Sequence, residues 1–268
     1  MTGKLQFTDE DLRFVAETVA PGRWRPEEAP GALRDREDLL DVMLEDDRLV
    51  DRLLGDEEAL LGVSPRFVFT VLLRRVIRDL QARPYTLERT PTETVAVFDA
   101  SQVRRFIAEP AIWGYLVSLL TSFLRSETIT LWIRRGEHYV RRRFNTTNLD
   151  DMIALAALVS EEETPPIFKR IADIALFQSG IFSDSLRKAR RTGVLARTRA
   201  IQPTLEAYEE QGRRFYRLAA RPQFGEEARV LEALADQFSM ARKSLELLSD
   251  RYLRWTPIRW RWFQAPAG

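Results

Sequence analysis

The sequence has no cysteine. Disulfides, thiolate metal sites and cysteine nucleophiles are therefore excluded, and the fold must rest on packing alone. Histidine occurs once, at His138, and asparagine twice, at Asn145 and Asn148. A single histidine with no second histidine and no nucleophile motif beside it lacks the partners of general-base chemistry, and reads more simply as a cross-strand or surface position. Lysine is nearly as scarce, with four against 37 arginines. A GC-rich genome would produce that bias, and heat adaptation would produce some of the same pattern. No apolar run reaches the ~18 residues of a membrane span. The closest, "AIWGYLVSLLTSFL" from Ala111 to Leu124, suits a buried helix better. The opening "MTGKLQFTDEDL" shows no basic segment leading into an apolar one. A soluble, cytoplasmic protein without membrane contact is expected.

The catalytic and cofactor motifs are missing too. There is no G-x-S-x-G, no glycine-rich phosphate loop, no dinucleotide fingerprint, no H-E-x-x-H and no calcium loop. No catalytic residue, cofactor or metal is therefore assigned. With 268 residues, 45% of them hydrophobic and 30% charged, the chain has enough apolar surface for one large domain or two closely packed ones. A loose division falls near residue 150. The net charge of +1 gives no whole-molecule attraction to nucleic acid or anionic lipid, so any such binding must come from local segregation of charge.

Along the chain, Thr8 precedes acids and a spaced apolar set at Leu12, Phe14, Val15 and Val19, which predicts a capped helix stopped by "APG". "RWRPEEAPGALRDRED" reads as a loop. A second helix runs through "DLLDVMLEDDRLVDRLLG", with a break expected near Asp46 and Asp47. "LGVSPRFVFTVL" has the spacing of a DNA-reading helix-turn-helix, but its second helix is apolar nearly all round. It is therefore a core helix, with Ser64 as N-cap and Pro65 at the first position. The Thr- and Val-rich stretch from Tyr85 to Phe98 is extended. "VRRFIAEPAIWGYLVSLLTSFL" is helical, with Pro110 marking a kink or a fresh start. "ETITLWIRRGEHYVRRRF" predicts a β-hairpin. The rest is helical and ends in two long helices. The first carries Leu205, Tyr208, Gly212, Phe215 and Ala219; the second carries Leu231, Leu234, Phe238, Ala241, Leu245, Leu248 and Tyr252 in heptad phase. An antiparallel pairing of these two follows from the short connection "RPQFGEE".

"LFQSGIF", Leu176 to Phe182, followed by "YEEQGRRFYRLAA", Tyr208 to Ala220, resembles a pattern found in uncharacterised prokaryotic helical proteins of unknown function. The resemblance spans roughly a sixth of the chain and implies a prokaryotic origin, with no site residue transferred.

From Glu27 to Glu58 there are 13 acids and four arginines. Without the alternating ligand spacing of a calcium site, they read as a solvated face or as partners for the chain's own arginines. Basic residues gather in three places. One is Arg134 and Arg135 with Arg141 to Arg143. A second comprises Arg187, Lys188, Arg190, Arg191, Arg197 and Arg199, with no acid among them. The third is the C-terminal "RWTPIRWRWF". Guanidinium groups bind phosphate through paired hydrogen bonds, so the second cluster is the leading candidate for contacting nucleic acid or another polyanion, while neutralising the chain's own acidic N-terminal third, or an acidic partner, is the simpler use of the same arginines. At the C-terminus, Ile258, Trp260 and Trp262 alternate with Arg259 and Arg261, which is strand periodicity. Packed on the hairpin, those tryptophans would be buried; on nucleic acid they would stack on bases.

The expected fold is mainly α, a multi-helix bundle with a small antiparallel hairpin that the C-terminus or the stretch near Val95 could extend. The expected function is that of a non-enzymatic interaction or scaffold protein that binds a protein partner or itself. Nucleic-acid binding through the arginine clusters is the alternative. An enzyme of unrecognised type, with Arg, Asp, Glu and Tyr as its only actors, is the third.

Overall fold

The computed structural model describes residues 7–89, 93–135, 138–192 and 204–253, with the backbone alone at Arg89, Arg135 and residues 188–192. Helices begin where the sequence supplies a cap. Thr8 and Asp11 form a capping box that starts α1 (Asp9–Val19), each side chain accepting from the other's N–H. Part of the expected loop folds into α2 (Ala29–Arg34), because Ala29, Pro30 and Leu33 find a buried face. The break at Asp46 occurs as expected, giving α3 (Glu37–Met43) and α4 (Asp47–Gly55), with Asp46 accepting from the Arg48 N–H. Asp56 caps the short α5 (Glu57–Leu61). Ser64 and Pro65 start α6 (Pro65–Gln81), whose Phe67 to Leu73 are all buried. That burial leaves no face for a DNA groove.

Strands β1 (Thr86–Arg89) and β2 (Thr94–Val97) pair antiparallel as a sheet of their own, so the stretch near Val95 does not extend the hairpin. Helices α7 (Ala100–Ile107) and α8 (Pro110–Ser122) follow, and Pro110 marks a new helix rather than a kink. The expected hairpin is β3 (Thr128–Arg135) with β4 (His138–Asn145), in a register running from Thr128 opposite Asn145 to Arg135 opposite His138. Phe144 is fully buried and roots it, while the Asn145 N–H donates to Asp151 at 2.8 Å. The strand expected at the C-terminus lies outside the described residues.

Asn148 caps α9 (Leu149–Ala156), and α10 (Thr164–Ile181) and α11 (Ser183–Thr192) follow. Helix α12 (Leu205–Ala219) packs most extensively on α10. The long final helix expected from the heptads is instead two, α13 (Glu226–Asp236) and α14 (Phe238–Leu248), parted at Gln237 and finished by a π-helical turn, Ser249–Leu253. Heptad phase survives the break because both pieces bury the same apolar set, from Leu231 to Leu248. Among the described residues, fourteen α-helices and two two-stranded antiparallel sheets make this a mainly α fold. One continuous core runs from Phe7 to Leu253 and crosses residue 150.

Two glycines allow the C-terminal helices to approach closely. A Cβ at Gly180 would lie 2.6 Å from the Leu245 Cβ, and one at Gly212 would lie 2.1 Å from the Phe238 ring. Replacing Gly212 with Leu should lower stability by about 1–3 kcal/mol through overpacking. Urea unfolding would measure it, and adding Phe238→Ala should recover part of the loss. An unchanged midpoint in the single variant would contradict this packing.

Candidate functional site

Of the predicted basic clusters, the described side chains are those of Arg134, Arg141 to Arg143 and Arg187. Arg197, Arg199, Arg259, Trp260, Arg261 and Trp262 lie outside the described residues, as do the side chains of Lys188, Arg190 and Arg191, whose backbone belongs to α11. Arg187 is engaged within the molecule, donating to Glu246 at 2.5 Å and to Asp184 at 3.1 Å. Burial works against its charge, but Glu246 and Asp184 outweigh it and raise its pKa. The acidic N-terminal third is matched chiefly by nearby arginines. Arg74 meets Asp41 and Glu45, and Arg75 and Arg78 both meet Asp47. His138 is exposed on the hairpin. Among the described residues, no group of three or more acids or histidines is placed to hold a metal, and no helix is long and apolar enough to cross a membrane.

One concavity is a groove of about 1620 Å³ alongside α8. That exceeds the roughly 300–1,000 Å³ of most small-molecule sites. Its lining comes from the N-terminal helices, α6, α8, α10 and α13. Leu40, Ile77, Leu119, Pro166 and Val230 make the lining substantially apolar. Gly114 faces open space, since a Cβ there would meet nothing within 4 Å. With α8 thirteen residues long, the groove follows a helix of about 20 Å.

Polar groups in the groove divide into satisfied and unsatisfied sets. Arg66 Nη1 donates to Ser118 Oγ at 3.4 Å, and Arg170 Nη1 to Ser122 Oγ at 2.9 Å, one helical turn along α8. Neither arginine forms an ion pair among the described residues. Arg170 also stacks over Phe123 at 4.0 Å and donates through Nε to the Thr146 carbonyl at 2.6 Å. Burial lowers its pKa despite the opposing field of Asp173 and Glu127. Three buried N–H donors in this lining have no acceptor: Arg66 Nε, Arg74 Nε and Trp113 Nε1. Buried polar atoms in native proteins are nearly always paired, so these three nitrogens, closed off behind the groove surface, are exceptions within its wall. Glu109, Glu226 and Glu227 add carboxylates to the rim.

Beneath the groove, Asp173 on α10 is 4% exposed and fully engaged. Its Oδ1 accepts from the Tyr115 hydroxyl at 2.5 Å and the Tyr216 hydroxyl at 2.9 Å, and its Oδ2 from Lys169 Nζ at 3.3 Å. Three helices are thereby tied together: α8, α10 and α12. Burial first, and the Asp173 charge second, hold both phenols well above the usual value of 10.0. Nothing in the sequence announced this cluster, because Tyr115, Asp173 and Tyr216 are far apart in the chain. The one local sign of the groove was Gly114, inside an otherwise apolar helix.

A raised tyrosine pKa contributes stability that is complete below the unfolded value and is lost as pH climbs toward the folded one. The folded chain should therefore lose stability progressively above about pH 10, where unfolded tyrosines ionise and Tyr115 and Tyr216 cannot. Tyr252, pushed up to about 12 by burial and Asp79, adds to the same loss. Urea midpoints at pH 9, 10 and 11 would show it. The variant Tyr115→Phe/Tyr216→Phe should have a shallower alkaline slope, and an equal slope would refute the assignment. No family model, curated protein or solved structure matches this chain.

Proposed function

We propose that this chain is a helical interaction protein that seats a segment of a partner protein in the groove along α8. The partner segment has an apolar face for the groove lining, and carboxylate acceptors for Arg66 and Arg170. The observation that carries this reading is one large groove whose lining combines apolar side chains with two arginines, Arg66 and Arg170, that form no ion pair among the described residues. Two arginines free of carboxylates, Arg66 and Arg170, favour acidic residues in the partner near Ser118 and Ser122. Glu109 favours a basic residue toward the start of α8. Such a polarised rim fixes the direction in which the segment lies.

Proton-transfer chemistry fits the groove less well. Both Asp173 oxygens already accept hydrogen bonds, the Tyr115 phenol is held neutral, and the Asp41 and Glu45 carboxylates pair with Arg74. What remains is two arginines without a carboxylate partner among the described residues, beside apolar surface, which suits recognition.

The test is selection of a displayed library of random fifteen-residue peptides on the full chain, with two variants as counter-targets. Gly114→Leu should fill the groove without strain, and it removes a mid-helix glycine, which by itself raises helix stability by about 1 kcal/mol. Arg66→Glu reverses the charge at the expected acidic subsite. Enriched peptides should be apolar with Asp or Glu toward one end, and should bind each variant at least about tenfold more weakly by fluorescence polarisation. No enrichment, or peptides that bind both variants as they bind the parent chain, would sink the proposal.

A further inference from the structure

The β3–β4 hairpin has two unlike faces. In an antiparallel pair, residues directly opposite each other share a face. One face carries Ile129, Leu131, Ile133, Val140 and Phe144; Phe144 is fully buried, and Leu131 and Ile133 pack on the core. The other carries Trp132 opposite Arg141, Tyr139 opposite Arg134, and Arg143 opposite Thr130. On that outward face Trp132 and Tyr139 are each 65% exposed. None of the residues paired in this hairpin is acidic, and neither Arg141 nor Arg143 forms an ion pair among the described residues.

Folding accounts for part of this arrangement. Arginines on a two-stranded ribbon discourage edge-to-edge pairing with another chain. Exposed tryptophan and tyrosine do the opposite, so edge protection leaves them unexplained. Their positions are diagonal across the pair, on the order of 7–8 Å apart, about twice the ~3.4 Å rise of stacked bases. A basic ribbon with two exposed aromatic side chains can hold phosphates while bases stack, and none of its paired strand residues is a carboxylate that would repel the backbone. Stacking needs bases whose faces are free, which a single strand offers and a duplex does not. We infer that this outward face binds single-stranded nucleic acid without sequence preference, with Trp132 and Tyr139 stacking on bases and Arg141 and Arg143 on phosphates. The inference is independent of the groove.

The experiment is a fluorescence anisotropy titration of the full chain with labelled fifteen-residue oligothymidine and a fifteen-base-pair duplex, at low and moderate salt. Oligothymidine should bind more tightly than the duplex, quench tryptophan fluorescence and weaken steeply with salt. Trp132→Ala/Tyr139→Ala should weaken binding at least about tenfold, and Trp132→Phe/Tyr139→Phe should largely restore it, since any aromatic ring stacks. Arg141→Ala/Arg143→Ala should reduce the slope of log K against log salt by about 1.4, at about 0.7 per single-strand phosphate contact. The C-terminal "RWRWF" is a second basic aromatic stretch, so Arg259→Ala/Arg261→Ala serves as the control. Loss of binding only in that control, no binding at low salt, duplex binding that ignores the aromatic variants, or tighter binding to phosphatidylserine vesicles or polyglutamate would each overturn the assignment. All four hairpin side chains are exposed, so unchanged thermal melting should accompany every hairpin variant.

Discussion

Helix α14 carries Arg242, Lys243 and Glu246 into the interior, and charges withdrawn from water are tolerable only where their partners are held in place. Lys243 meets Asp99 and, at 2.6 Å, Glu88. Burial opposes its charge, yet the hydrogen bonds to those two carboxylates keep its pKa above the lysine range. Asp99 also accepts from Thr86 at 2.5 Å, so one lysine links α14 to the start of α7 and to β1. Arg242 bridges Glu209 on α12 and Glu246 on α14, and Glu246 in turn holds Arg187 on α11. Just beyond α14, Arg251 and Tyr252 both reach Asp79 on α6. Deleting one member of such a buried pair typically costs about 3–5 kcal/mol, because the other charge is stranded. The surrounding elements are therefore fixed in register by one helix, and the close approach at Gly180 brings α10 in as well.

The groove depends on that register indirectly, through Asp173. A buried carboxylate with about four lone-pair positions is satisfied by two phenols and an ammonium group supplied from α8, α10 and α12. This holds α8 beside α10, and Tyr115, Lys169 and Asp173 are themselves part of the groove lining. Arg170, the neighbour of Lys169 in α10, has different partners: its guanidinium spans from Ser122 to the Thr146 carbonyl at the foot of the hairpin. The same helix thus supplies both the carboxylate beneath the groove and an arginine of its wall.

Local rules were legible in the residues. Thr8 and Ser64 cap the helices that their positions implied, a helix break falls at Asp46, and Pro65 and Pro110 begin helices. The apolar circumference of α6 excluded a DNA-reading helix for a reason that the burial of Phe67 to Leu73 repeats. Two things were hidden. The break at Gln237 preserves heptad phase, so periodicity alone reads α13 and α14 as continuous. The groove is made by segments distant in sequence, and its orphaned donors depend on what fails to lie opposite them, which no spacing rule encodes. The hairpin was visible, but the exposure of Trp132 and Tyr139 was not, because alternation shows which residues share a face and not which face meets the core.

A net charge of +1 conceals how unevenly the charges are used. Most acids of the N-terminal helices that form ion pairs do so with arginines of the same region or of α6, and Arg187 is neutralised by Glu246 and Asp184. Those pairs contribute to folding or to solubility and leave little field beyond the surface. Outside them stand Arg66 and Arg170 in the groove and Arg141 and Arg143 on the hairpin, none ion-paired among the described residues. Arg170 belongs to both regions, since it touches α8 in the groove and the chain just after β4. Replacing it would disturb both at once and could not tell one function from the other. Gly114 and Trp132 each belong to one region only, which is why they, rather than the more conspicuous arginines, separate a partner-binding groove from a nucleic-acid-binding ribbon.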